Sequence, residues 1–277
     1  MPRDSGPLPL RQAIALGLAQ GPTELLPVSS SGHTALIPWL CGWRYGSLPP
    51  ESRKSFEVAL HAGAGLALAI GLGGELLDAA ATLNPAGATV LALSVAPPAV
   101  AGYALRGPIE RRLGGPRSIA AGLIAGGVAM AIADSRAPAG ERSLGEAGPL
   151  DGLALGLAQA LALVPGVSRS GATLTAARAR GFGRRDAEAL SWRAALPVIL
   201  GASALEGLRT LRSRAPAPSR GALAAGGGAA FASTILSARL LAGGARGGRA
   251  LLPYAIYRCL LAIEVARRLR SAHNRSG

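Results

Sequence analysis

This 277-residue sequence is short of charge, aromatic residues and cysteine. Charged residues make up 16% of the chain, against about a quarter in a soluble domain. Hydrophobic residues reach 49% and the mean hydropathy is +0.34, a balance that points to a membrane protein. Aromatics amount to 4%, too few for the stacking platforms of a nucleic-acid binder. No nucleic acid partner is therefore expected, despite a formal charge of +14. That charge is carried by arginine, since Lys54 is the single lysine, and the arginines fall between apolar segments, where they suit anionic headgroups or an anionic substrate. The two cysteines, Cys41 and Cys259, read as small core hydrophobes rather than a disulfide framework. Residues Met1 to Gln20 lack a basic region followed by a clean apolar region and a cleavage site, so no cleaved signal is expected.

What the chain does contain is apolar runs. Six segments, near residues 57–77, 88–105, 118–134, 188–208, 221–243 and 251–267, approach the ~20 residues that a helix needs to cross a bilayer. Short loops rich in Gly, Pro and Arg separate them. Two further apolar stretches, near 8–28 and 150–167, end in the turns SSSGH and SRSG and are predicted to be re-entrant hairpins.

These two stretches are related. Residues 15–34, ALGLAQGPTELLPVSSSGHT, align without gaps on 154–173, ALGLAQALALVPGVSRSGAT, with 11 of 20 positions identical at an offset of 139. The composition predicts about two or three identities by chance. The expected fold is an all-α polytopic membrane protein, a single membrane domain over 1–277 with halves near 8–134 and 150–267. Three expected spans lie between the repeat units, so the second is inverted, an architecture that puts a binding site where the halves meet.

Candidate chemistry sits in the repeats. Gln20 and Glu24, four residues apart, share a helix face. They read either as minority ligands of a hard divalent cation or as a hydrogen-bonded pair supporting the turn. Ser29, Ser30, Ser31 and His33 follow, combining hydroxyls at a tight turn with an imidazole that titrates near neutrality. In the second unit Ser168, Arg169, Ser170 and Thr173 stand at the positions of Ser29, Ser30, Ser31 and Thr34. Arg169 is the one new charge, and its planar fork suits phosphate oxygens.

The strings GLAQGPTELLPVSSSGH and PGVSRSGAT resemble the two signatures of the undecaprenyl-diphosphatase (BacA/UppP, bacitracin-resistance) family. One signature is Glu or Gln, three residues, then Glu, met by Gln20 and Glu24; the other runs from Pro165 to Thr173. FEVALHAG, from Phe56 to Gly63, and ALSWRAALPVILGA, from Ala189 to Ala202, are similar too. The resemblance implies hydrolysis of undecaprenyl diphosphate to the monophosphate carrier lipid and phosphate, aided by Mg2+ or Ca2+, in a bacterial inner membrane protein capable of forming a homodimer. It implies that activity resides in Glu24, Ser30, His33 and Arg169. Ser29, Ser168, Ser170 and Thr173 then bind phosphate, and Gln20 and Glu24 the cation. The nucleophile is left open among His33, Ser30 and water. Arg178, Arg180 and Arg193 stand where the family is usually apolar, which predicts a wetter second arm or side chains reaching to headgroups.

An inverted-repeat transporter of lipid phosphates is the rival reading. For orientation, arginine counts in the loops favour cytoplasmic termini, whereas the resemblance puts the termini and the cavity mouth on the periplasmic side. The second is the expectation adopted, because the diphosphate is released there.

Overall fold

A computed structural model describes residues 8–71, 73–74, 81, 84–136, 142–212, 218–243, 248 and 250–273. These residues are all-α. The helices are α1 Leu10–Leu25, α2 Ser30–Cys41, α3 Pro50–Gly71, α4 Pro85–Leu113, α5 Pro116–Ser135, α6 Pro149–Leu161, α7 Arg169–Ala179, α8 Arg184–Arg212, α9 Arg220–Gly243 and α10 Leu252–His273. Among the described residues no strand forms beyond an isolated bridge between Arg142 and Phe182. Proline punctuates the starts: Pro50, Pro85, Pro116 and Pro149 each open a helix, where the missing N–H has no helical partner to lose. Asn84 caps α4 by accepting from the Gly87 N–H at 2.7 Å.

All six apolar segments are helical over their described residues, Leu251 excepted, and both hairpin stretches fold as helix, turn, helix. The paired arms keep the repeat spacing, since α6 and α7 start 139 positions after α1 and α2. Three helices are long and apolar enough to cross a membrane, over Pro85–Leu105, Pro116–Ser135 and Arg220–Leu241. The other three long helices, α3, α8 and α10, carry more charge: Arg53, Lys54 and Glu57 in α3, Arg193 in α8, Arg258 and Glu264 in α10.

The chain divides into two compact units of interleaved segments. In the first, formed by Met1–Leu25, His33–Asp78 and Ile199–Gly244, α9 packs on α1 and on α3. Small residues set the approach: a Cβ on Gly17 would strike the Gly226 carbonyl, and one on Gly63 the Gly227 carbonyl. Ser233 of α9 enters the hydrogen-bond ladder of α1. Its hydroxyl donates to the Gly17 carbonyl at 2.9 Å and accepts from the Gly21 N–H at 3.2 Å. That intrusion lies beside Pro22, which itself removes a donor from the helix.

The second unit holds Leu26–Gly32, Ala79–Val198 and Ala245–Gly277. Here α4 packs on α6, α5 on α10, and α7 on both α5 and α6. Gly152 and Gly156 of α6 face the backbone of Val90 and the Leu93 carbonyl of α4. Leu155, Phe182, Ala187 and Leu190 form its core.

The surface is inside-out for water. On α1, Leu10, Ile14 and Leu18 are exposed while Gln12, Gln20 and Glu24 are buried. Ile124, Val128 and Ile132 repeat the exposed stripe on α5. An aqueous amphipathic helix does the reverse, so these faces meet lipid.

Three expectations change. Cys41 is exposed and Cys259 half-buried, so neither is a core hydrophobe, although both are free thiols as expected. Arg178 does not reach for headgroups: it is buried, with Nε 3.1 Å from Asp134 Oδ1 and a bond from Nη1 to the Phe182 carbonyl at 2.6 Å. Arg180 is held by Asp151 at 2.6 Å. Carboxylates at the ends of α5 and α6 hold both guanidinium groups; for the buried pair of Arg178 and Asp134 the contact offsets desolvation that neither charge tolerates alone, whereas Arg180 stays exposed.

Candidate active site

Within the first unit, the last two turns of α1 present Gln20, 1% exposed, and Glu24, 6% exposed. The Gln20 Nε2 donates to Glu24 Oε2 at 3.2 Å. Thr34 of α2 donates to Gln20 Oε1 at 3.4 Å, so the amide is fixed from both ends. The hydrogen-bonded pair expected from the spacing is thus present. Glu24 sits at the carboxyl end of α1, where the helix dipole and burial both disfavour a carboxylate. His33, adjacent to Thr34, is buried at 6% exposure.

The second unit holds both serine turns. Ser29 has φ 77° and Ser168 φ 70°, a left-handed backbone that costs a side-chain-bearing residue about 1–3 kcal/mol and clusters at functional sites. Each is an N-cap: Ser29 Oγ accepts from the Gly32 N–H at 3.3 Å and Ser168 Oγ from the Gly171 N–H at 3.2 Å. The strain has a geometric return, because it turns the chain sharply enough to start α2 at Ser30 and α7 at Arg169. Gly166, at φ 96°, completes the second turn, where a Cβ would strike the Ile119 carbonyl.

The two turns are joined. Ser170 Oγ donates to the Leu26 carbonyl at 3.2 Å and lies 3.4 Å from Ser168 Oγ. Residues 144 positions apart are therefore neighbours. Ser30, Arg169 and Ser170 are half-buried and Ser31 is exposed. Thr173 is wholly buried, bonded to the Arg169 and Ser170 carbonyls and to Ser191 Oγ at 2.6 Å. Its hydroxyl braces the first turn of α7. Two helix N-termini, a guanidinium at the start of one and hydroxyls on both, make an arrangement suited to a phosphate group.

A family model described as bacitracin resistance protein BacA matches residues 13–264. The chain belongs to this family. Proteins named undecaprenyl-diphosphatase are similar over most of their length. The one from Geobacter sulfurreducens is 37% identical over 84% of this chain and 88% of its own. That from Alcanivorax borkumensis is 34% identical over 92% and 97%, and that from Pelotomaculum thermopropionicum 40% over 69% and 72%. Every BacA-family signature residue named above lies inside the matched region.

Three contributors to the site escaped sequence reasoning. Ser233 and Ser191 are hydroxyls in long helices that carry others besides, with no distinguishing pattern. Arg258 did carry a signal, as a charge in the middle of an otherwise apolar run from Leu251 to Ile263. Only the folded chain shows what it touches.

Proposed function

We propose that this chain hydrolyses undecaprenyl diphosphate to undecaprenyl phosphate and inorganic phosphate, recycling the carrier lipid of cell-wall synthesis and conferring bacitracin tolerance. The observation that carries this reading is the pairing of two serine-capped helix starts, tied by the bond from Ser170 to the Leu26 carbonyl, in a chain of the BacA family. Phosphoryl transfer depends chiefly on positioning and on stabilising charge, and these parts supply both.

Arg169 neutralises the diphosphate and presents a fork to its oxygens, with Ser168, Ser170 and the helix N–H groups donating around it. Water, or a side chain regenerated by water, attacks the terminal phosphorus, and the bridging oxygen leaves with the lipid monophosphate. Ser30 and His33 stand three positions apart in α2, so a hydroxyl and an imidazole share one face. His33, Ser30 and water are the three nucleophile assignments. Trapping with acid-stable and acid-labile phosphoenzyme assays separates them, since phosphoserine survives acid and phosphohistidine does not.

The family resemblance brings a divalent cation, Mg2+ or Ca2+, and the donors on α1 fit it. One carboxylate and one amide, buried and 3.2 Å apart, supply a minority of a hard cation's ligands, leaving the remainder to water and phosphate. Gln20 and Glu24 would hold it, and it would supply charge neutralisation for the diphosphate.

The finer architecture belongs to the same reading: six spanning helices and two re-entrant hairpins in an inverted repeat, in the bacterial inner membrane, with the cavity opening to the periplasm, and with a homodimer as its assembly. The deciding experiment is turnover of radiolabelled undecaprenyl diphosphate by purified protein in detergent. Release of one phosphate per lipid supports hydrolysis; a chain that binds the lipid without releasing phosphate is a carrier.

A further inference from the structure

One arginine interrupts the apolar run of α10. Arg258 is 0% exposed and is the largest side chain so completely buried among the described residues. Its Nη2 donates to the Val167 carbonyl at 2.7 Å, the Gly166 carbonyl at 2.9 Å and the Gly122 carbonyl at 3.3 Å, and Nη1 reaches the Pro27 carbonyl at 3.5 Å. Pro27 belongs to the first serine turn; Gly166 and Val167 belong to the second. No carboxylate pairs with Arg258 among the described residues.

A guanidinium buried within a membrane helix without a counterion is costly. At the matching glycines of the two repeats, Gly32 is backed by the Ile119 methyl at 3.5 Å from where a Cβ would stand, whereas Gly171 is backed by Arg258 Nη1 at 2.7 Å. Hydrocarbon suffices behind one turn; behind the other stands a fixed positive charge.

We propose that Arg258 is a positioning residue for diphosphate hydrolysis, tying the carbonyls of both serine turns and so setting the spacing of the two helix N-termini. The proposal rests on the reading that these turns bind the diphosphate. By accepting from the guanidinium, the Pro27, Gly166 and Val167 carbonyls keep their negative ends occupied. The charge adds a preorganised attraction for the anion without touching it.

The test compares Arg258→Lys, Arg258→Met, Gly126→Ala and Arg169→Ala with the parent, as purified protein in detergent. It measures kcat and KM for the lipid diphosphate per folded molecule, with the folded fraction taken from size exclusion and thermal unfolding. Lys keeps the charge and loses the fork, so kcat falls at least tenfold with KM within threefold of the parent. Met loses both, so kcat falls about a hundredfold and KM rises. Gly126→Ala places a methyl against both Arg258 Nη2 and the Val167 carbonyl that it binds, so it disturbs that contact without removing the guanidinium and lowers kcat like Arg258→Lys. It decides the matter where the Arg258 variants do not fold. Parent values of kcat and KM in the folded variants overturn the proposal, as does a loss of activity that only follows the loss of folded protein. Full activity in Arg169→Ala would sink the phosphate-site reading. An inactive Arg169→Ala beside fully active Arg258 variants sinks only the positioning role.

Discussion

Ser29 and Ser168 make opposite contributions to stability: a left-handed backbone that costs energy and an N-cap that returns about 1 kcal/mol of it. That balance makes sense where the chain must turn sharply into a helix start aimed at an anion. Arg169→Ala is expected to abolish phosphate release while leaving the protein inserted and monodisperse, because the lost group is half-buried rather than core packing. Arg169→Lys should recover little, at least about a hundredfold below the parent, since an ammonium cannot make two parallel bonds to phosphate. Near-full activity in either variant, measured as labelled phosphate, would contradict this. Glu24→Gln should cost far more than Gln20→Glu, because only the first removes the carboxylate from the pair. Titrating Mg2+ or Ca2+ against activity should show Glu24→Gln needing much more cation and Gln20→Glu no more than the parent. An unchanged metal dependence in both would remove the cation from this pair. At this scale the sequence was informative: residue type and spacing singled out Gln20, Glu24, the serines and Arg169. The capping role of Ser29 and Ser168 was hidden, because a cap is defined by backbone angles that residue type alone does not reveal.

Helices pack here through glycine, so close approach limits which substitutions a helix tolerates. Gly63→Ala in α3 should destabilise the protein by roughly 1–3 kcal/mol through overpacking, since the added Cβ meets the Gly227 carbonyl of α9. Gly201→Ala in α8 should be neutral or slightly stabilising, as nothing lies within 4 Å of its Cβ and alanine is the better helix former. Thermal unfolding in detergent reads both, and equal effects would refute the packing argument. The start of α6 offers a pH-dependent test. Burial pushes the Asp151 carboxyl up, but bonds from Arg142, the Gly148 N–H and Arg180 outweigh it and bring the group down to about 2. A folded-state value below the unfolded one of about 3.9 means this stabilisation is complete above pH ~4 and is lost as pH falls toward 2. Asp151→Asn should therefore unfold at a lower temperature than the parent at pH 6, with the gap closing as pH drops from 4 to 2. A gap constant with pH would show that the ion pairs with Arg142 and Arg180 contribute nothing. These pairings explain why two of the three arginines in the second arm and its neighbourhood misled a reading by hydropathy: Asp134 and Asp151, remote in sequence from Arg178 and Arg180, supply their counterions.

For the whole molecule the open physical question is which way the chain crosses the bilayer. An inverted repeat is nearly symmetric across the membrane, so a modest drift of arginine between loops blurs the charge signal without altering the fold. With Cys41 and Cys259 replaced, a reporter thiol at Ser143 should resist an impermeant reagent in intact cells and react once they are permeabilised. Labelling in intact cells would put that loop outside and reverse the proposed orientation. The sequence by itself determined the solvent, the helical class, the repeat at an offset of 139 and the chemistry-bearing types within it. Each of these depends on composition or short-range spacing, which the linear chain records. Tertiary structure decided which distant groups meet: Ser170 on the Leu26 carbonyl, Ser233 inside the ladder of α1, and Arg258 on the carbonyls of both turns. Those contacts span between 91 and 231 positions. A single hydroxyl or guanidinium in an apolar helix has no local pattern to announce its partner, so only the packing of helix on helix selects it.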